Sequence, residues 1–571
     1  MSALKLMFVV SALLVLAACG GSVESTNTGT SGSTSGNSGG TTNNTCTAAS
    51  SGNITLDGQV SFERVPHNGY RLDYTATFDA PARGVLVQAF NVDSNSLVVT
   101  GSTDSTGHYS LSVPNNTNIK IRVVAQMLKS GSLPNWNFSV KDNTSGDAVY
   151  VMDGSSTCTG TTNETRNLTA LSGWTGSSYT NTRTAAPFAI LDTVYDAMQM
   201  ILGAKADINF PALNLYWSPN NYNAIAGSAY QGGTYFDGNN SIYLAGKQNV
   251  DTDEYDPSVI AHEWGHYIEA HFSRSDSIGG YHSFGDYLDM RVSFGEGFGN
   301  AFSSMARNDP DYADSTGNLQ ASGFGFNVET ETVSNPGWYS ESSVEKILYD
   351  LFDGSNNYHS SNDAADADTL TLGFQPIWDV LTQEEKTLPV FTSIFKFIDT
   401  LKSHDPTDAA AIDALVNAQN IHVADVYGST ETNDAGNSDV LSIYADATTS
   451  TPATNVCVTN AFGRGQGLND YNVLGMNHYI RFTPPSTGSY KFTISSGNSS
   501  GDPDAVFYND SGANVHQSTV GGSETFVETL NSVREYMLAI DDYQILSTSY
   551  DSLNTLGTLV SRCYTVSVVK Q

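Results

Sequence analysis

A chain of 571 residues is too long for one hydrophobic core and implies several domains. Lysine and arginine together number 25 against 59 aspartates and glutamates, a formal net charge of −34. That balance argues against tight nucleic-acid binding, which needs a basic face, and fits a soluble surface outside the cytoplasm with some capacity for cations.

The N-terminus carries one positive charge, Lys5, before LMFVVSALLVLAA (6–18), an apolar run too short for a durable membrane span. The run ends in LAAC, where Cys19 follows two small residues. This resembles a bacterial lipobox. The resemblance implies that residues 1–18 are a signal peptide and that Cys19 is lipidated, anchoring the exported protein to a membrane. Gly20 in place of an aspartate favours the outer membrane or cell surface, and an ordinary cleaved signal peptide is the competing reading. Residues 19–45 are nearly all Gly, Ser, Thr and Asn, too polar to offset the cost of ordering, and read as a disordered tether. Four cysteines remain: Cys46, Cys158, Cys457 and Cys563. An oxidising compartment pairs them, and nearness along the chain favours 46–158 and 457–563 among the three connectivities.

Residues 46–170 read as strands without a helical interruption: GVLVQAF (84–90), SLVVTG (96–101), GHYSLSVP (107–114) and IKIRVVAQ (119–126). They resemble carboxypeptidase regulatory-like β-sandwich modules, which implies a spacer or stabilising role. Residues 171–450 change character. AAPFAILDTVYDAMQMILG (185–203) has helical spacing, LNLYWSP (213–219) and GTYFDGNNSIYLAG (233–246) look like strands, and the segments 257–272, 293–306, 342–352 and 388–403 read as helices. From 455 to 571 strands return, in MNHYIRFTPPSTGSYKFTISSG, DPDAVFYND, ETFVETL and EYMLAIDDY. That run resembles the bacterial pre-peptidase C-terminal domain, a small β-sandwich.

The chemistry centres on HEWGH (262–266). On a helix His262 and His266 are about 40° apart and one turn removed, so two neutral imidazoles can share one Zn²⁺. Glu263, about 100° round, reaches a water beside the ion without ligating it and can serve as general base and acid. A third ligand is required. Metzincins would place glycine at 269 and histidine at 272, where this chain has Glu269 and Phe272. His271 points away from His262 if the helix continues, and His282 is reachable through the loop but stands alone in a Gly/Ser-rich context.

In VSFGEGFGNAFSSMA (292–306), glycines at 295, 297 and 299 would let a helix bearing Glu296 approach closely. HEWGH followed by GEGFGNAF resembles the gluzincin peptidases of the thermolysin and fungalysin superfamily. The resemblance implies an α+β zincin-type peptidase domain flanked by the two β-sandwiches. Within it His262, His266 and Glu296 would hold zinc, with Glu263 as catalytic base. Asn300 stands where the family has an aspartate orienting a ligand histidine, and it supplies no charge. Asp286 and Asp289 remain alternative third ligands. The strand in GTYFDGNNSIYLAG resembles the one that pairs with extended peptides in these enzymes. An ordinary buried hairpin is an equal alternative.

Tyr339 and His359 are candidate oxyanion donors. The acidic clusters VDTDEYD (250–256) and NDAADAD (362–368) could take Ca²⁺ as a second cofactor, although neither has EF-hand spacing and solvated loops are the stronger reading. The expectation is a monomeric, lipid-anchored zinc endopeptidase acting on peptide or protein substrates. The rivals are an inactive adhesion protein on a peptidase-like module and a zinc hydrolase of non-peptide substrates.

Overall fold

Strand pairing in the computed structural model crosses the domain boundary expected at residue 170. The structure describes Cys46 and residues 52–354, 370–464, 470–496, 501–509, 512–518, 521–548 and 559–571. The segments expected to be signal peptide and tether, with Cys19, His359 and the 362–368 cluster, lie outside the described residues.

Alternating burial explains the N-terminal strands. In β5 (His108–Pro114) the inward side chains are Tyr109, Leu111 and Val113. This strand and β2 (Phe78–Pro81) pair antiparallel with β1 (Asn53–Arg64) in one five-stranded sheet. The facing sheet contains β3 (Val85–Asn91), β4 (Ser96–Ser102), β6 (Asn118–Lys129) and β7 (Trp136–Asp142). It does not stop there. After helix α1 (Ala186–Ala204), β8 (Leu213–Trp217) pairs parallel with β7, and then come β10 (Ser241–Leu244) and the short edge strand β9 (Tyr235–Phe236). The order β9-β10-β8-β7-β6-β3-β4 makes one ten-stranded sheet with its side pairings.

The boundary at 170 is therefore corrected. An unpaired β7 would present a free row of N–H and C=O groups, and β8 satisfies them. Side chains tie the same regions together. Arg83 pairs with Asp192 and Asp196 of α1, and Arg64 pairs with Asp192. Phe138 on β7 meets Trp264 and Tyr267 edge-to-face at 6.1 and 6.4 Å between centroids. The N-terminal strands are thus part of the wall behind the HEWGH helix.

That helix, α2 (Pro257–Phe272), packs on α3 (Met290–Arg307). A hairpin of β12 (Asp311–Thr316) and β13 (Ser322–Asn327) follows, with β11 (Asp251–Thr252) on its flank. Helices α4 (Glu341–Phe352), α5 (Phe374–Thr382), α6 (Ile394–His404) and α7 (Ala409–Ala418) complete this part.

The C-terminal strands form two sheets around a separate core that includes Phe482, Tyr490, Phe492, Phe507 and Leu538. The first strand is Tyr444–Asp446, pairing parallel with His478–Phe482, so this unit begins before the expected residue 455. Among the described residues the architecture is mostly β, in six sheets. Cys46–Cys158 and Cys457–Cys563 are disulfide-bonded, with sequence separations of 112 and 106. Loops of that size lose about 4–5 kcal/mol of unfolded-state entropy each in the chain-entropy account.

Candidate metal centre

Proline at the first helical position opens α2, and Asp256 just before it accepts hydrogen bonds from the backbone and hydroxyl of Ser315. The helix is pinned at its start, and its buried face carries His262 and His266. Asp289 caps α3 by accepting the Arg291 N–H, which aims Glu296 at the two imidazoles.

The three ligand atoms converge. His262 Nε2 lies 3.1 Å from His266 Nε2, and Glu296 Oε2 lies 3.3 and 3.4 Å from the two. A tetrahedron of ligands about 2.05 Å from an ion has edges of about 3.3 Å, so the triangle fits Zn²⁺. The outer nitrogens are engaged. His262 Nδ1 donates to Asn300 Oδ1 at 2.8 Å, and His266 Nδ1 donates to Glu269 Oε2 at 3.0 Å. With both Nδ1 protons so committed, two neutral imidazoles point lone pairs at each other and at a carboxylate oxygen. That arrangement repels itself unless a cation or protons lie between.

Electrostatics agree with this picture. Burial alone would lower the His266 pKa, but the Glu296 and Glu269 carboxylates outweigh it and hold it well above the usual value. Burial would raise Glu296, yet the imidazoles of His282 and His266 hold it well below the carboxylate range.

Asn300 relays a contact the sequence did not foretell. Its Nδ2 donates to Glu345 Oε2 at 2.7 Å. Glu345 is itself buried beside Glu331, and its pKa is pushed well above normal. The chain His262–Asn300–Glu345 thus links the imidazole to a carboxyl group at one remove.

The glycines divide their roles. A Cβ on Gly299 would lie 2.8 Å from His262 Cε1, whereas one on Gly297 would strike Val344 and the Glu341 carbonyl on α4. Gly295 has only ordinary contacts. Of the three, Gly299 is the one that makes room for a ligand histidine.

Glu263 Oε2 accepts the N–H of Phe236 on β9 at 2.7 Å, which anchors the acid to the edge strand. Gly233 to Phe236 line a cleft of about 1070 Å³ together with His262, Glu263 and His266.

The alternative third ligands face elsewhere. Asp286 accepts from Arg464 at 2.6 Å, and Asp289 is engaged by Arg291 and by the hydroxyl of Tyr479. Both help dock the C-terminal strands. His271 bonds the Asn239 carbonyl, away from the centre. His282, which stands alone in the sequence, folds back so that Nε2 lies 3.3 Å from Glu296 Oε2 and 3.7 Å from Glu341 Oε2.

Tyr339 is corrected. It is 3 % exposed, its hydroxyl donates to Asn433 Oδ1 at 3.0 Å, and it does not line the cleft. The buried aromatic contacts of Trp338 and Tyr287 turn it toward the 420–436 segment.

No family model matches the chain, and the comparison with curated proteins finds no match. Among solved structures, the pre-peptidase C-terminal domain of a collagenase from Bacillus anthracis is 12 % identical, covering 22 % of this chain and 93 % of that one, with a TM-score of 0.14. A cycloisomaltooligosaccharide glucanotransferase from Paenibacillus sp. is 10 % identical over 90 % of this chain and 72 % of that one, with a TM-score of 0.12. A β-glucosidase from Paenibacillus barengoltzii is 8 % identical over 88 % and 68 %, with a TM-score of 0.11. Likenesses this slight carry no argument about fold or activity.

Proposed function

We propose that this protein is a zinc-dependent endopeptidase of gluzincin type, exported and held at the cell surface through Cys19. The convergence of His262 Nε2, His266 Nε2 and Glu296 Oε2, with both Nδ1 atoms already donating, carries the reading. When bound there, Zn²⁺ supplies an acidified water and polarises a carbonyl.

The chain's own residues account for the rest. Glu263 keeps Oε2 on the Phe236 N–H, leaving Oε1 to take a proton from the attacking water and return it to the leaving amine. The β9 edge lines the cleft beside it, where an extended peptide could lie along the strand past the Phe236 N–H that Glu263 holds. His282, in place of Tyr339, is the side chain positioned to donate toward developing negative charge when it carries both ring protons, since Nδ1 donates to the Gly280 carbonyl and Nε2 lies 3.3 Å from Glu296 Oε2. The C-terminal strands fit an appended, non-catalytic sandwich, and the N-terminal strands buttress α2.

Glu263→Gln tests the assignment. The variant is expected to keep zinc, because Glu263 is not a ligand, and to lose about 10²–10⁴-fold in casein hydrolysis. Near-parental turnover would refute the role of Glu263. Zinc retained by the parent without hydrolysis of any peptide would move the reading to a non-peptide hydrolase or a binding protein.

A further inference from the structure

The same cleft is lined by a second acidic group. Asp251 lies on β11, Asp253 begins the 3₁₀ turn Asp253–Tyr255 ahead of α2, and Asp314 lies on β12. One carboxylate oxygen of each lies within 4.8 Å of those of the other two. Surface acids cluster often without meaning, but here Asp253 is buried and Asp251 and Asp314 are half-buried. Asp253 is 2 % exposed. One of its oxygens accepts the Thr234 hydroxyl, and the other, Oδ1, is buried without a partner. Oδ1 of Asp251 and Oδ1 of Asp314 are likewise buried and unpaired.

Among the described residues no lysine, arginine or histidine forms an ion pair with any of the three. The charged groups that face them are one another and Asp256, whose own oxygens are held by Ser315 and His67. Three acids packed this closely, one buried and two half-buried, without a counter-charge must take up protons or a cation.

We propose that Asp251, Asp253 and Asp314 bind one Ca²⁺ that braces the cleft-side edge strand against the start of α2. The donors are hard oxygens with no nitrogen or sulfur, which selects calcium over zinc, and the cleft admits both the ion and the waters that complete its shell. Thr234, bonded to Asp253, also accepts the Ala245 N–H and sits two residues before Phe236, whose N–H holds Glu263. An ion at the aspartates would therefore steady the strand that positions Glu263.

Calcium binding can be read without any substrate. Protein stripped of divalent ions and reloaded with zinc is dialysed against Ca²⁺ and, separately, titrated with Tb³⁺, whose emission nearby tyrosines would sensitise. The expected result is one Ca²⁺ per chain, a Ca²⁺-dependent rise in Tm, and Tb³⁺ emission that Ca²⁺ quenches. All three should vanish in the double variant Asp253→Asn/Asp314→Asn. Removing buried charge should leave that variant folded, with unchanged zinc content and a Tm in chelator at least that of the parent. Asp237→Asn, on the hairpin tip outside the group, should bind as the parent does. Failure of the parent to retain Ca²⁺, or equal retention by the double variant, would overturn the proposal. Calcium held by a protein that cleaves no peptide would leave this inference standing and remove only the peptidase reading.

Discussion

Glu296 and Asp253 are both buried carboxylates on one cleft, and their surroundings drive them in opposite directions. Burial raises each. At Glu296 the imidazoles of His282, His266 and His262 reverse that effect and hold the acid well below its usual range. At Asp253 the neighbours are Asp251, Asp314 and Asp256, and burial and repulsion act together to push it well above. Desolvation sets the size of the stakes, and the sign comes from the partner. On the two proposals above, a nitrogen-rich pocket would keep an ionised ligand ready for zinc, and an all-oxygen pocket would hold protons until a cation displaced them.

The sharpest way to break the contrast is to delete the ionised acid. Glu296→Ala should reduce bound zinc to background by atomic absorption and abolish hydrolysis with it. Metal that survives this change would make His282 the third ligand. Next in size, Gly299→Ala would set a methyl 2.8 Å from His262 Cε1. It should cost about 1–3 kcal/mol in denaturant unfolding and lower zinc affinity about tenfold or more.

The raised acids predict a smaller, pH-dependent effect. Asp314 is pushed from 3.8 up to about 8, and Asp251 to about 6, by burial and neighbouring acids. A folded value above the unfolded one means the native state holds the proton more tightly. Their contribution to stability is thus complete below about pH 4 and is lost as pH rises toward 8. In chelator, the Tm difference between Asp314→Asn and the parent should grow across that window in favour of the variant, and Ca²⁺, which stabilises the parent more, should reverse it. The smallest effect is expected at Tyr339→Phe, whose hydrolysis should stay within about twofold of the parent, because the hydroxyl serves Asn433.

What the sequence revealed followed the range of the interactions involved. The α2 helix and its paired histidines were legible because i, i+4 spacing is local, whereas Glu296 was named only through the likeness of GEGFGNAF to the gluzincin pattern, and the structure sets it beside both imidazoles. The relay from Asn300 to Glu345 needed a third helix that local pattern does not place. His282 was reachable through the loop but could not be ranked from sequence, because only the fold of the 274–289 loop brings it to Glu296. Tyr339 was misread for the same reason, since its partner Asn433 is 94 residues away. The disulfide pairs were inferred from proximity along the chain, and the structure pairs them so. The domain boundary at 170 failed because parallel pairing between β7 and β8 joins residues 138–141 to 213–216, which leaves no mark on either segment alone.

That pairing bears on any attempt to trim the protein. A fragment starting at residue 171 would be born with β8 lacking its neighbour and with Trp264 and Tyr267 stripped of Phe138. Its exposed amide row would invite self-association, so a trimmed piece should reach back to Cys46 and keep both β1 and the disulfide to Cys158.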